Sequence, residues 1–218
     1  MLKRISTLFC IPLSIVWLNA QSTDKMITSW WFNTSNQTFT GTNATNAIVN
    51  VEAIYYTSSI VYVKASGIPS YYTDGVTGAM GNKKPKFDAK VQTAVYKLPR
   101  TQTVATSGTC TYLRDQGQIG ILIDGSVALS PCDGKNYLSL TTGVWHQIAY
   151  KFEGSDFDSN LGHSTPGGQY HHHVSPTPLF SSSATSTHSG IIGFATESFA
   201  MYPTASVSGL YFAHPQAQ

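Results

Sequence analysis

Five of the seven histidines in this chain fall between positions 163 and 188, in the run Gly162-His163-Ser164-Thr165-Pro166-Gly167-Gly168-Gln169-Tyr170-His171-His172-His173 and then in His188-Ser189. Imidazole is the commonest protein ligand for transition metals and the side chain whose ordinary pKa lies nearest neutrality. If residues 169–174 are extended, His171 and His173 project to one face and His172 to the other, because side chains alternate along a strand. Two imidazoles at i and i+2 can share a metal, and Asp158, His163 or His188 can complete the shell. The Gly167-Gly168 pair permits a sharp turn that returns His163 towards His171. Nitrogen-rich coordination favours copper or zinc over calcium.

The same residues admit a plainer reading. His171 and His173 can instead be buried polar groups hydrogen-bonded to backbone or to a carboxylate, with Glu153, Asp156 and Asp158 near enough in sequence to serve. A histidine acting as general base with an aspartate orienting it is a third use. The sequence has no nucleophile elbow, glycine-rich phosphate loop or H-E-x-x-H helix. The pairs Trp30-Trp31, Tyr55-Tyr56 and Tyr71-Tyr72 suit a carbohydrate platform, but alternating aromatics in a β protein more often cover a core and an edge.

Short alternating runs rich in β-branched and aromatic residues must hold these groups in place. They lie at 27–32, 47–56, 60–63, 89–98, 119–123, 127–129, 144–152 and 190–195, punctuated by Gly, Pro, Asn and Ser. Asp124-Gly125 marks a hairpin turn. No segment carries a twelve-residue helical stripe. The pattern predicts a mainly β, single sandwich or barrel-like domain with long irregular loops, among them 74–86 and the Ser/Thr run 181–187.

Lys3 and Arg4, the largely apolar stretch from Leu8 to Leu18 and the small Ala20 read as a signal peptide over residues 1–20, leaving one domain over 21–218. The apolar run is too short to cross a bilayer, so the expectation is a secreted or surface-exposed protein without a membrane partner once the signal is removed. Loss of Lys3 and Arg4 leaves 11 basic residues against 11 acidic ones, which gives no electrostatic footprint for nucleic acid. Beyond Cys10, the mature chain keeps Cys110 and Cys132. Two cysteines in an oxidising compartment most simply form one disulfide, closing a loop of about twenty residues worth roughly 3 kcal/mol. Asn33, Asn36 and Asn43 each begin an N-x-S/T triplet, so glycans are expected where the host glycosylates asparagine.

Tyr170-His171-His172-His173 after Gly162-His163, followed by His188-Ser189 leading into Ile191-Ile192-Gly193-Phe194-Ala195, resembles the YHYH-domain family of secreted proteins. The resemblance extends upstream through Val61-Tyr62-Val63, Ile68-Pro69-Ser70-Tyr71, Gly117 to Gly125 and Gly143-Val144-Trp145, and spans roughly residues 30–202. It implies that His171 and His173 are the signature histidines, that His172 replaces the second tyrosine, and that Asp158, His163 and His188 also match. It confers no established reaction. Where the family runs from Gly-Phe-Ala into Asp-Gly, this chain has Thr196-Glu197-Ser198, which keeps a carboxylate and loses the glycine.

Three functions follow as expectations. The first is an exported metal-binding domain with His163, His171, His173 and His188 as ligands, Asp158 as ligand or orienter, and copper or zinc as the ion. The second is a structural or adhesive subunit of an extracellular assembly, self-associating through an N-terminal strand over 26–32. The third is a metal- or His/Asp-dependent hydrolase or oxidase.

Overall fold

A computed structural model describes residues 24–33, 48–71, 73, 85–104, 117–132, 148–179 and 190–203. Two sheets carry the fold. β1 (Val51–Tyr56), β2 (Ile60–Ala65) and β3 (Ala94–Pro99) form an antiparallel three-stranded sheet in that order. The second sheet contains β4 (Gln118–Leu122), β5 (Val127–Leu129), β6 (Gly162–Ser164), β7 (Tyr170–His172), β8 (Gly193–Ala195) and β9 (Ala200–Met201), in the order β6-β7-β5-β4-β8-β9. The architecture is mainly β and sandwich-like, with no closed barrel among the described residues.

Strand β2 shows why the chain folds this way. Its Val61, Val63 and Ala65 are buried while the residues between them are half-buried, which is the period-2 pattern of a sheet with one face on a core. Those three side chains share a cluster with Val51, Leu98, Met26 and Trp30 and with Ile121 and Phe194 of the second sheet. Trp30 lies tilted against Phe194, ring centroids 5.4 Å apart, and donates its indole N–H to the Met26 carbonyl, so the polar edge of a core ring is satisfied. On the other side of the second sheet, Leu122, Ala128, Ile192 and Met201 pack with Leu179.

Two expected strands take another form. Within 27–32, α1 (Lys25–Thr28) is a single turn capped by the Asp24 carboxylate on the Met26 N–H, and Trp31 to Asn33 then pair with Val51 and Ile123 of the same chain. Within 144–152, Ile148 makes one bridge to Cys132 and the chain turns at once into α2 (Ala149–Phe152), closed by the Glu153 N–H on the Ala149 carbonyl. Four residues are too few to carry a helical period, so neither turn leaves a sequence signature. The Asp124-Gly125 turn joins β4 to β5, with Gly125 alone of the pair at positive φ and the Asp124 carboxylate accepting from the Ser126 N–H and hydroxyl.

Residues 1–20, expected to be a leader, and Cys110, His188, Asn36 and Asn43 lie outside the described residues. Asn33 is half-buried and donates its backbone N–H to Val51. No helix among the described residues is long and apolar enough to cross a membrane.

Candidate metal centre

Strands β6 and β7 are the two arms of a hairpin that sets His163 opposite His171, Gly162 opposite His172 and Ser164 opposite Tyr170. The turn between them is closed by the Gly168 N–H on the Thr165 carbonyl and the Thr165 N–H on the Gln169 carbonyl. Gly168 takes φ +85°, a conformation that side chains disfavour, which is why glycine stands there. β7 also pairs in parallel with β5, Val127 against His171 and Ala128 against His172, so the hairpin is anchored to the middle of the sheet.

Pleating then divides the three consecutive imidazoles between two environments. His171 and His173 point to one side, with Nε2 atoms 3.2 Å apart. His163 joins them from β6, its ring 4.4 Å from that of His171 and 5.6 Å from that of His173. One ligand atom from each of the three lies within 4.8 Å of the other two. One wall is apolar: buried Phe157 meets His163 edge-on at 4.6 Å and stacks on His173 at 6.1 Å.

Backbone carbonyls fix two tautomers. His171 Nδ1 lies 3.0 Å from the Gln169 carbonyl and His173 Nδ1 lies 2.5 Å from the Ser130 carbonyl. A carbonyl only accepts, so each Nδ1 carries a proton, and the neutral His171 presents a lone pair at Nε2. His163 Nε2 is buried with no hydrogen-bond partner. Burial drives the His163 pKa down to about 2 and the His171 pKa down to about 3, with the neighbouring imidazoles adding to both shifts. Neutral imidazole is the ligating form.

His172, on the opposite side, is fully committed. Its Nδ1–H donates to the Leu161 carbonyl at 3.0 Å and its Nε2 accepts from the Tyr71 hydroxyl at 3.0 Å. Burial lowers its pKa to about 3. Leu161 holds φ 65°, and Gly162 is required beside it because an added Cβ would meet the Tyr170 ring and lie 2.7 Å from His172 Cε1.

Asp158 sits in this second network. One oxygen accepts from the Asn160 and Gly162 N–H groups at 2.9 Å each, and the other accepts from the Tyr170 hydroxyl at 2.7 Å. Its carboxylate therefore orders the 158–162 loop that leads into His163, and the three-histidine group does not include it. Glu153 approaches the group instead, with Oε2 3.4 Å from His163 Nε2 and 3.7 Å from His173 Nε2. The sequence offered it only as one of three nearby carboxylates. Cys132 is half-buried, and its proposed partner Cys110 is not described. Among the described members of the aromatic pairs, Trp30 is buried and Tyr71 bonds to His172, while Trp31, Tyr55 and Tyr56 are exposed.

A β-sandwich-like domain with a buried group of three imidazoles is thus the class that fold and site define. The family model described as YHYH protein matches residues 95–213, more than half of the chain and the whole histidine cluster, so the chain belongs to the YHYH family. No curated protein and no solved structure matches it.

Proposed function

We propose that this chain is an exported domain whose His163, His171 and His173 bind one transition-metal ion, copper or zinc. The observation that carries the reading is the 3.2 Å approach of two Nε2 atoms whose tautomers are fixed by backbone carbonyls. Burial holds the His171 pKa at about 3, so its Nε2 is an electron-pair donor aimed at the space between the two rings, where a metal ion would be held by both. A tetrahedral ion with Zn–N bonds of about 2.0–2.1 Å sets its ligand nitrogens about 3.3–3.4 Å apart, close to the observed separation. Export is supported by the charged start, the short apolar stretch and Ala20, and by the family resemblance.

Metal analysis of protein purified without a histidine tag tests the site. One copper or zinc per chain is expected in the wild type, and a large loss in His171→Ala. A metal-free preparation that takes up neither ion on titration, and whose thermal stability is unchanged by them, overturns the reading. Mass spectrometry of exported material tests the leader, with a mature chain beginning at Gln21 expected.

A further inference from the structure

Building on that metal-binding reading, we infer that Glu153 is the fourth ligand, so that the ion occupies a closed site and clamps the α2 turn onto the β6–β7 hairpin. The first support is distance. Glu153 Oε2 stands 3.4 Å from His163 Nε2 and 3.7 Å from His173 Nε2. Ligand atoms around a tetrahedral zinc are separated by about 3.3–3.4 Å, so the carboxylate oxygen lies near co-ligand spacing from His163 and His173. It stands outside the group whose atoms all lie within 4.8 Å of one another and has to move towards His171 to close the shell.

The second support is what that approach lacks. His163 Nε2 is buried beside the carboxylate yet makes no hydrogen bond to it. A metal ion held by both would satisfy this buried nitrogen and the carboxylate oxygen beside it. The third support is charge. The side chains of His163 and Glu153 are only 11% and 12% exposed, and three neutral imidazoles would leave a dication uncompensated in that setting. One carboxylate halves the charge that has to be buried.

The consequence is mechanical. His163 comes from β6, His171 and His173 from β7 and the residue after it, and Glu153 from the end of α2. The α2 turn is also tied by the Ile148–Cys132 bridge, by the Ala149 N–H on the Pro131 carbonyl and by the Tyr150–Phe157 ring contact. Four protein ligands from separate elements define a structural metal site, whereas a catalytic zinc keeps one position for water or substrate.

The test uses the full-length, untagged chain with Zn²⁺ or Co²⁺ alone as probe. Glu153→Gln, which keeps the side-chain shape, is expected to weaken Zn²⁺ binding by at least about tenfold in competition with a chromophoric chelator. Zn²⁺ is expected to slow hydrogen exchange of the Glu153 amide in the wild type and not in this variant. A readout independent of any variant is the visible spectrum of the wild-type Co²⁺ form, which should be intense and unchanged by added azide, since a closed site has no position for it. Wild-type affinity in Glu153→Gln, or an azide-responsive Co²⁺ spectrum, overturns the inference while leaving the three-histidine site standing. Failure of the wild type to bind either ion overturns both.

Discussion

His171, His172 and His173 are chemically identical and serve two different ends, and the atoms bonded to their ring nitrogens decide which. His172 spends both nitrogens on Leu161 and Tyr71, so it holds a loop. His171 and His173 each spend Nδ1 on a carbonyl and turn Nε2 towards the other. Tyr71→Phe separates the two roles. It leaves His172 Nε2 buried and unpaired, which should cost about 1–3 kcal/mol in urea unfolding of the metal-free protein, with metal stoichiometry unchanged. A variant that lost its metal at unchanged stability would show that the two networks are not separate. The division by side was legible in the i, i+2 spacing of the sequence. The carboxylate was not: Asp158 and Glu153 look alike on paper, and only the structure turns Asp158 to the Asn160 and Gly162 amides and the Tyr170 hydroxyl and Glu153 to His163 and His173.

Among the elements, those with an alternating core face were readable, as β2 and β3 are, while the one-turn helices α1 and α2 were not. That blind spot matters because α2 delivers Glu153. The β8–β9 turn contains a second departure from the family pattern, beside His172, that the structure can weigh. Ser198 takes φ 72° where the family has glycine, and its hydroxyl is buried without a hydrogen-bond partner. A left-handed residue costs about 1–2 kcal/mol, against roughly 0.5–1 kcal/mol of extra backbone entropy lost by a glycine. Relief of the buried hydroxyl adds to the difference. Ser198→Gly should therefore stabilise the protein by about 1 kcal/mol, a rise of roughly 2–4 °C in Tm for a domain of this size. The Gln102 side-chain bond to the residue's carbonyl survives the change. A fall in Tm would mean that the turn is held by something other than its backbone conformation.

Across the whole molecule, the pairing least visible in the sequence is the parallel contact of β5 with β7, because partners some forty residues apart leave no local periodicity. Yet this contact carries the imidazoles into the interior, and their burial makes stability depend on pH. Folding holds His163 near a pKa of 2 and His171 and His172 near 3, all below the ordinary value of 6.5. As the pH falls from 6.5 towards 3, the unfolded chain takes up protons that the folded chain refuses. Stability present in full above about pH 6.5 is therefore lost progressively through that window. Urea midpoints of the metal-free protein should be level between pH 7 and 8 and fall steadily from pH 6.5 to 4. Zinc binds the folded form, so at pH 7 and a free concentration about a thousand times Kd it should add roughly 4 kcal/mol to the unfolding free energy. A metal-free profile that stays flat down to pH 4 would mean that the imidazoles titrate as they do in water, and the buried, neutral ligand set on which the metal centre depends would not exist.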